Sequence, residues 1–504
     1  MKKITVTTLT VLLTLCVTLF AACSGGYYGI DSGGFSAWSD SLGENYQYDT
    51  VVEQPFVSTE DETSSYFSLD RNTASYSLMR RQIDDGYKLS PGSVRLEEYV
   101  NYFNYSYARP TGDHSLALGG SLFDCPWNAQ HKLMSITVAA EEFELSSSVR
   151  NNIVFLIDTS GSMYGADRLG LIQQSFTMLL DYLNPDDVIS VVTYAGDSRV
   201  ALDGEHASNK LRISSVIEDL QASGSTNGAG GLQSAYRIAE RHFIEDGNNR
   251  VILATDGDFN VGVSSKAGLK ALIREKSSSG VYLSVLGVGM LNTNDSTMET
   301  LANNGNGNYA YLDSIFEAKR ALVQELGGLL YAVAKDTKIG VEFNKDTVSK
   351  YRLLGYDTKR LTQEQFEDSA TDAGEIGKGH TVTAVYEIEL KSGVITGEVQ
   401  GNVAQVELKY KKPIKVNNGT VDVDKALTFT FTTEHYAETP SNDCVFIGCV
   451  LEYGLILRES KYKGDASFGA VLARLQTLSS YLSEDVYKQD FARIVSKASE
   501  LYAR

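Results

Sequence analysis

The chain has 504 residues, of which 42% are hydrophobic and 22% are charged. This composition is typical of a globular protein, it excludes a largely disordered or collagen-like chain, and the length indicates about three domains. The net charge of −19 argues against a nucleic-acid partner, because the chain carries no excess of positive charge to neutralise phosphates.

The chain begins with a pattern that is typical of an export signal. Two lysines precede an uncharged apolar stretch that ends in Ala21-Ala22, directly before Cys23. The pattern resembles the signal of bacterial lipoproteins, which implies a signal peptide over 1–22 and lipidation of Cys23. We therefore expect an extracytoplasmic protein of the cell envelope, lipid-anchored to a membrane. The alternative is an uncleaved membrane anchor, because about 18 apolar residues can span a bilayer.

The segments that follow are predicted to be a tether and a flanking region. Residues 23–56 are rich in Gly, Ser, Tyr and Asp, which predicts a flexible tether that would span roughly 30 Å as a random coil. Residues 57–149 form the N-terminal flanking region, with two predicted helices within 70–106 and two strands within 115–140.

The centre of the chain, 150–335, is predicted to be an α/β domain with a doubly wound, mostly parallel sheet. Apolar runs such as Ile153–Ile157 and Val188–Tyr194 alternate with helical patterns such as Leu169, Ile172 and Phe176. Alternation of this kind indicates a parallel sheet with right-handed crossovers.

Polar side chains follow several of these strands, at the edge of the sheet where ligands of such folds bind. They are Asp158, Ser160 and Ser162 after the first strand, Thr226 in a Gly- and Ser-rich loop, and Asp256 after a later strand. Carboxylate and hydroxyl oxygens are hard ligands, which suit Mg²⁺ best and also Mn²⁺ or Ca²⁺.

The region after the central domain is predicted to be β-rich and then helical. Residues 336–435 contain runs of alternating polarity, and 436–504 show helical periodicity. Because the strands within 115–140 cannot form a stable sheet alone, we expect them to pair with 336–435, so that the central domain is inserted in a β-rich domain. Cys125, Cys444 and Cys449 can form one disulfide with a spare thiol or remain three free thiols.

The polar residues at the sheet edge resemble the metal-ion-dependent adhesion site of von Willebrand factor type A (VWA) domains, a Rossmann-like fold. The matching residues are Asp158-x-Ser160-x-Ser162, Thr226 and Asp256. Flanking segments, including Leu69–Arg81, Val94–Tyr102, 125–128 and 372–384, resemble bacterial cell-envelope VWA lipoproteins with dedicated N- and C-terminal regions. The resemblance covers roughly 55–504 and implies a metal site formed by these five residues.

The resemblance predicts a binding protein. We expect it to bind an unknown protein ligand that offers an acidic side chain to the metal, with the membrane as a second contact through the lipid anchor. The alternatives are a structural or docking subunit of an envelope assembly, in which the metal is secondary, and, more distantly, a metal-dependent hydrolase. The sequence has no His-Glu-x-x-His motif, nucleophile elbow or phosphate-binding loop, so no enzyme is predicted.

Overall fold

The computed structural model describes residues 52–142, 149–257, 266–289, 295–399, 401–416 and 419–504. The predicted signal peptide, the lipidation site at Cys23 and most of the predicted tether lie outside the described residues. Within them, no helix is both long and apolar enough to cross a membrane.

The secondary structure falls into three stretches along the chain. Before residue 150 the elements are β1 (Val57–Ser58), β2 (Ser64–Ser68), α1 (Ala74–Asp84), α2 (Leu96–Asn101), β3 (Leu116–Asp124) and β4 (Lys132–Ala140). The central elements are β5 (Asn151–Asp158), α3 (Leu169–Leu179), β6 (Val188–Tyr194), β7 (Ser198–His206), α4 (Lys210–Glu218), α5 (Gly228–Arg241), β8 (Asn248–Thr255), α6 (Lys266–Ser278), β9 (Val281–Gly287), α7 (Asp295–Asn304), β10 (Tyr309–Tyr311), α8 (Ile315–Lys319) and α9 (Leu326–Leu330). The last stretch contains β11 (Ala332–Phe343), β12 (Val348–Leu354), β13 (Arg360–Leu361), α10 (Gln363–Glu367), β14 (Gly374–Gly377), β15 (Thr381–Leu390), β16 (Asn402–Val416), β17 (Gly419–Thr432), α11 (Asn442–Leu457), α12 (Phe468–Thr477), α13 (Ser479–Ser483) and α14 (Val486–Tyr502).

The central sheet has the strand order β10-β9-β8-β5-β6-β7. Every pair is parallel except β6–β7, which is antiparallel. β5 and β8 are buried along their whole lengths, because helices cover both faces of the sheet. The carboxyl ends of β5 and β8 therefore lie side by side at one edge of the sheet.

The flanking strands form two sheets around a common core. One sheet has the order β1-β12-β15-β4-β3 and the other β13-β2-β11-β16-β17, with β14 paired to β11. β4 pairs antiparallel with β15, with Ile136 opposite Ala384, so strands from both sides of the central domain share one sheet, as the sequence predicts. The central domain is thus an insertion between β4 and β11.

Three features of the flanking regions differ from the sequence predictions. The N-terminal flank begins with β1 and β2 and not with helices, because the polar β2 segment becomes a strand by pairing with β11 and β13. β11 starts at Ala332, so it crosses the predicted boundary at 335/336. The end of the predicted tether is bound to the body, since Glu53 accepts a hydrogen bond from Arg352 at 2.9 Å and the Phe56 ring packs on His131.

Helices from both ends of the chain form one cluster. α1, α2 and the four C-terminal helices share an apolar core that includes Tyr76, Trp127 and Phe491. α1 also contributes Ala74 and Leu78 to the core on one face of the central sheet. Cys125, Cys444 and Cys449 are free and buried, which decides between the two alternatives left open by the sequence.

Candidate functional site

The first turn of the candidate site follows β5 and carries three of the predicted residues. Asp158 and Ser160 are buried, and Ser162 is half-buried. The backbone N–H of Ser160 donates to Asp158 Oδ1 at 2.9 Å, and the hydroxyls of Ser160 and Ser162 are 3.1 Å apart. This turn therefore places one carboxylate and two hydroxyls close together.

Hydrogen bonds attach the loop that carries Thr226 to this turn. The N–H of Gly161 donates to the Gly224 carbonyl at 3.0 Å, and the N–H of Ser223 donates to the Thr159 carbonyl at 2.7 Å. Gly224 has a φ of 82°, a left-handed conformation that favours glycine. Thr226 is half-buried and directly precedes the N-cap residue of α5, so the start of this helix fixes its backbone.

Asp256 lies at the end of β8, next to β5. Ile157 of β5 is opposite Ala254 of β8, which brings the two strand ends and their aspartates together. Asp256 is buried, and the chain turns at Gly257 with a φ of 90°. The structure thus brings all three predicted segments to one edge of the sheet.

Two further residues support Asp158, and neither is among the five predicted site residues. Tyr194 at the end of β6 donates its hydroxyl proton to Asp158 Oδ2 at 3.2 Å, and Thr255 donates to the same oxygen at 3.0 Å. Tyr194 is directly opposite Asp158 in the β5–β6 register, so only the strand order could have identified it.

The electrostatics of the site disfavour a charged Asp158 in the absence of a cation. Burial raises the pKa of the Asp158 carboxyl, and the Asp256 carboxylate acts in the same direction, while the hydrogen bonds from Ser160 oppose the shift. Burial also raises the pKa of Tyr194 well above its usual value, which keeps its phenol protonated as a donor.

The donor set is made of oxygen atoms only. Among the described residues no three His, Cys, Asp or Glu side chains converge as metal ligands. The site offers the carboxylates of Asp158 and Asp256, and its other donors are hydroxyls. Such a set suits a hard divalent cation and does not suit zinc or copper, which favour nitrogen and sulfur ligands.

Three family models match the chain. They are described as von Willebrand factor over 43–135, von Willebrand factor type A domain over 152–325, and uncharacterized protein YfbK, C-terminal, over 328–501. The second match spans the central domain with its mixed, Rossmann-like sheet. The third match spans the β-rich and helical region that follows.

Several known proteins are similar to this chain. Uncharacterized protein YfbK of Escherichia coli K12 is 34% identical over 476 residues, which cover 90% of this chain and 81% of that protein. The human inter-alpha-trypsin inhibitor heavy chain H4 is 24% identical over 279 residues, or 53% of this chain and 29% of that protein. A solved structure of a von Willebrand factor type A protein from Catenulispora acidiphila is 15% identical, covers 76% of this chain and 89% of that one, and has a TM-score of 0.42. The extent and identity of the match to YfbK, together with the family models on both sides of residue 326, place the chain in the YfbK family of bacterial VWA-domain proteins.

Proposed function

We propose that the protein is a non-enzymatic, membrane-tethered binding protein that holds a protein partner through a divalent cation at the edge of its VWA sheet. The observation that carries this proposal is the convergence of three loops at one sheet edge. The turn after β5 holds Asp158 beside two serine hydroxyls 3.1 Å apart, the loop before α5 is bonded to that turn, and the end of β8 lies alongside it. Mg²⁺ suits the donor set best, and Mn²⁺ or Ca²⁺ also suit it.

The five predicted residues would hold the cation in distinct ways. Asp158 and Asp256 would supply the two negative charges, and the hydroxyls of Ser160, Ser162 and Thr226 would add ligands without adding charge. When bound, the cation would present a positive charge to which an acidic side chain of a partner can bind. Two carboxylates balance a divalent charge without exceeding it, so an acidic ligand from outside is not repelled.

Thermal melting of the full chain with Mg²⁺ and with chelator tests the metal site. We expect millimolar Mg²⁺ to raise the Tm of the wild type, because a ligand of the folded state stabilises it by about 2.7 kcal/mol at a concentration of 100 Kd. Asp256→Ala should abolish this shift and still fold, since Asp256 lies at the sheet edge. Asp181→Ala, which removes a solvent-exposed aspartate elsewhere, should keep it.

Two results would contradict the metal site. One is an unchanged wild-type Tm at millimolar Mg²⁺ and Mn²⁺, and the other is an Asp256→Ala variant that responds as the wild type does. If the site is correct, capture of a partner from envelope extracts should be lost on chelation and with Asp256→Ala. Capture that persists in chelator would instead favour a docking role without metal.

The tethering part of the proposal depends on Cys23. Small residues directly before this cysteine are typical of lipoprotein processing, and a lipid on Cys23 would attach the body to a membrane. We expect Cys23→Ala to release the protein from the membrane fraction or to leave an unprocessed precursor, as seen by fractionation and mass spectrometry. A mature variant that stays in the membrane fraction would be inconsistent with this anchor.

A further inference from the structure

Arg168 connects the turn that carries the serine ligands to the end of a distant strand. Its Nη1 donates to the backbone carbonyl of Ser162. Its side chain also packs on Gly289, which follows β9 on the far side of β8. The contact therefore spans from the loop after β5 to the loop after β9, across the strand end that carries Asp256.

A larger residue at Gly289 would displace the Arg168 side chain. A Cβ at Gly289 would lie 2.7 Å from Arg168 Nε and 3.2 Å from its Cδ and Cγ atoms. Gly289 also has a φ of 75°, which favours glycine. The adjacent N–H of Val288 donates to the Thr255 carbonyl at 3.0 Å, so the end of β9 is itself fixed against the end of β8. Arg168 is thus held between two rigid parts of the sheet edge.

The charge of Arg168 opposes the function of the loop to which it is bound. A guanidinium on the loop that would hold a cation repels that cation, so electrostatics alone would favour a neutral residue here. Its contact with the site is a hydrogen bond to a backbone carbonyl, which directs the Ser162 segment without neutralising Asp158 or Asp256.

We propose that Arg168 is a positioning residue that sets the Ser162 hydroxyl for metal binding, and that Gly289 makes room for it. The inference rests on the proposed metal site. Residues that orient metal ligands without touching the metal typically contribute 10- to 100-fold to affinity. The start of α3 does not require the side chain, since the bond from the Ile172 N–H at 3.0 Å is accepted by the Arg168 backbone carbonyl.

Calorimetric titration of the metal-stripped full chain with Mg²⁺ tests the proposal. We expect Arg168→Gln, which loses the charge, and Arg168→Lys, which keeps it, both to weaken Mg²⁺ affinity by about tenfold or more. Arg199→Gln is the matched control, because it removes a positive charge from an exposed arginine that lies opposite Thr193, near the carboxyl end of β6. It should leave the affinity within about twofold. Melting in chelator checks that each variant is folded.

The opposite pattern would overturn the proposal. If the charge alone mattered, Arg168→Gln would bind Mg²⁺ more tightly and Arg168→Lys would bind as the wild type does. Gly289→Ala adds an independent check. It should weaken Mg²⁺ binding more in the wild-type background than beside Arg168→Gln, whereas equal effects in both backgrounds would exclude the coupling. A wild type that binds no Mg²⁺ would overturn the proposed function as well, while a wild type that binds with unaffected Arg168 variants would overturn this inference alone.

Discussion

At the scale of single residues, the neighbours of a buried carboxyl decide its protonation. Burial disfavours the charge of Glu317, but Arg320 and Arg80 outweigh it and lower the pKa of this carboxyl to about 2. Glu375 lies in β14, and burial raises its pKa to about 8, because Lys335 compensates only in part and Asp336 adds to the shift. Glu375 is therefore protonated over a range in which an ordinary glutamate is charged.

Glu375→Gln should reveal this difference as a pH-dependent gain in stability. The pKa of Glu375 is higher in the folded state than its ordinary value of 4.5, so its contribution to stability is fully present below pH 4.5 and is lost as the pH rises through about 8. We expect the variant to match the wild type at low pH and to exceed its free energy of unfolding by on the order of 2 kcal/mol above pH 8. Urea denaturation across pH measures the difference.

Glu364→Gln is the control for that experiment. Glu364 is fully exposed, and hydrogen bonds at the start of α10 lower its pKa, first of all one from Thr362. Its replacement should change stability little and with the opposite dependence on pH. A Glu375→Gln variant whose stability follows that of the wild type at every pH would show that Glu375 titrates normally.

At the scale of elements, the central domain meets the β-rich domain through two glycines. A Cβ at Gly377 of β14 would lie 2.4 Å from the backbone of Gly328 in α9. The adjacent Lys378 N–H donates to the Tyr331 carbonyl at 2.8 Å, directly before β11. A strand and a helix thus approach closely because neither has a side chain at the contact.

Replacing glycine with alanine restricts the unfolded chain, which by itself would stabilise the folded protein. Gly377→Ala should nevertheless destabilise it. We expect a loss of about 1–3 kcal/mol in the free energy of unfolding, because backbone atoms and not a flexible side chain must move. Gly469→Ala, in the exposed first turn of α12 with no atom within 4 Å of the added Cβ, should gain up to about 1 kcal/mol. Chemical denaturation of both variants compares them, and equal stabilities would argue against the close contact.

At the scale of the whole molecule, the VWA domain and its flanks form one packed unit. Arg80 of α1 bonds Asp313 at 2.6 and 2.7 Å and Glu317 at 2.8 Å, both in the last part of the VWA domain. These side chains are almost completely buried. A buried ion pair adds little net stability, but removing one partner leaves an uncompensated charge in the interior.

Arg80→Met should accordingly reduce the free energy of unfolding by about 3–5 kcal/mol. Arg81→Met, at the next position on α1, removes a partly exposed arginine that pairs with Asp85 at 2.7 Å, and should cost at most about 1 kcal/mol. Calorimetry of the full chain should show one main transition that shifts as a whole in Arg80→Met. Two separate transitions in the wild type would indicate that the VWA domain folds independently of its flanks.

The local pattern of the sequence was sufficient for the elements of the VWA sheet and for the loops of the candidate site. Runs such as Ile153–Ile157 are apolar throughout because both faces of their sheet are covered, and Asp158 and Asp256 follow strands whose parallel order brings their ends to one edge. Periodicity also identified strands within 115–140 and beyond 336, and it predicted that the two groups pair with each other.

Only the tertiary structure decided the contacts between residues far apart in the chain. Tyr194 and Arg168 carry no motif, and they reach Asp158 and Ser162 only because of strand order and loop packing. β2 is too polar to be predicted as a strand, and it becomes one by pairing with β11, which lies more than 250 residues away. Hydrophobic periodicity shows which face of a helix or strand is buried, but it does not show which other element covers that face. The hydrogen-bond partners of the site depend on which elements pack together, so the tertiary structure alone determines them.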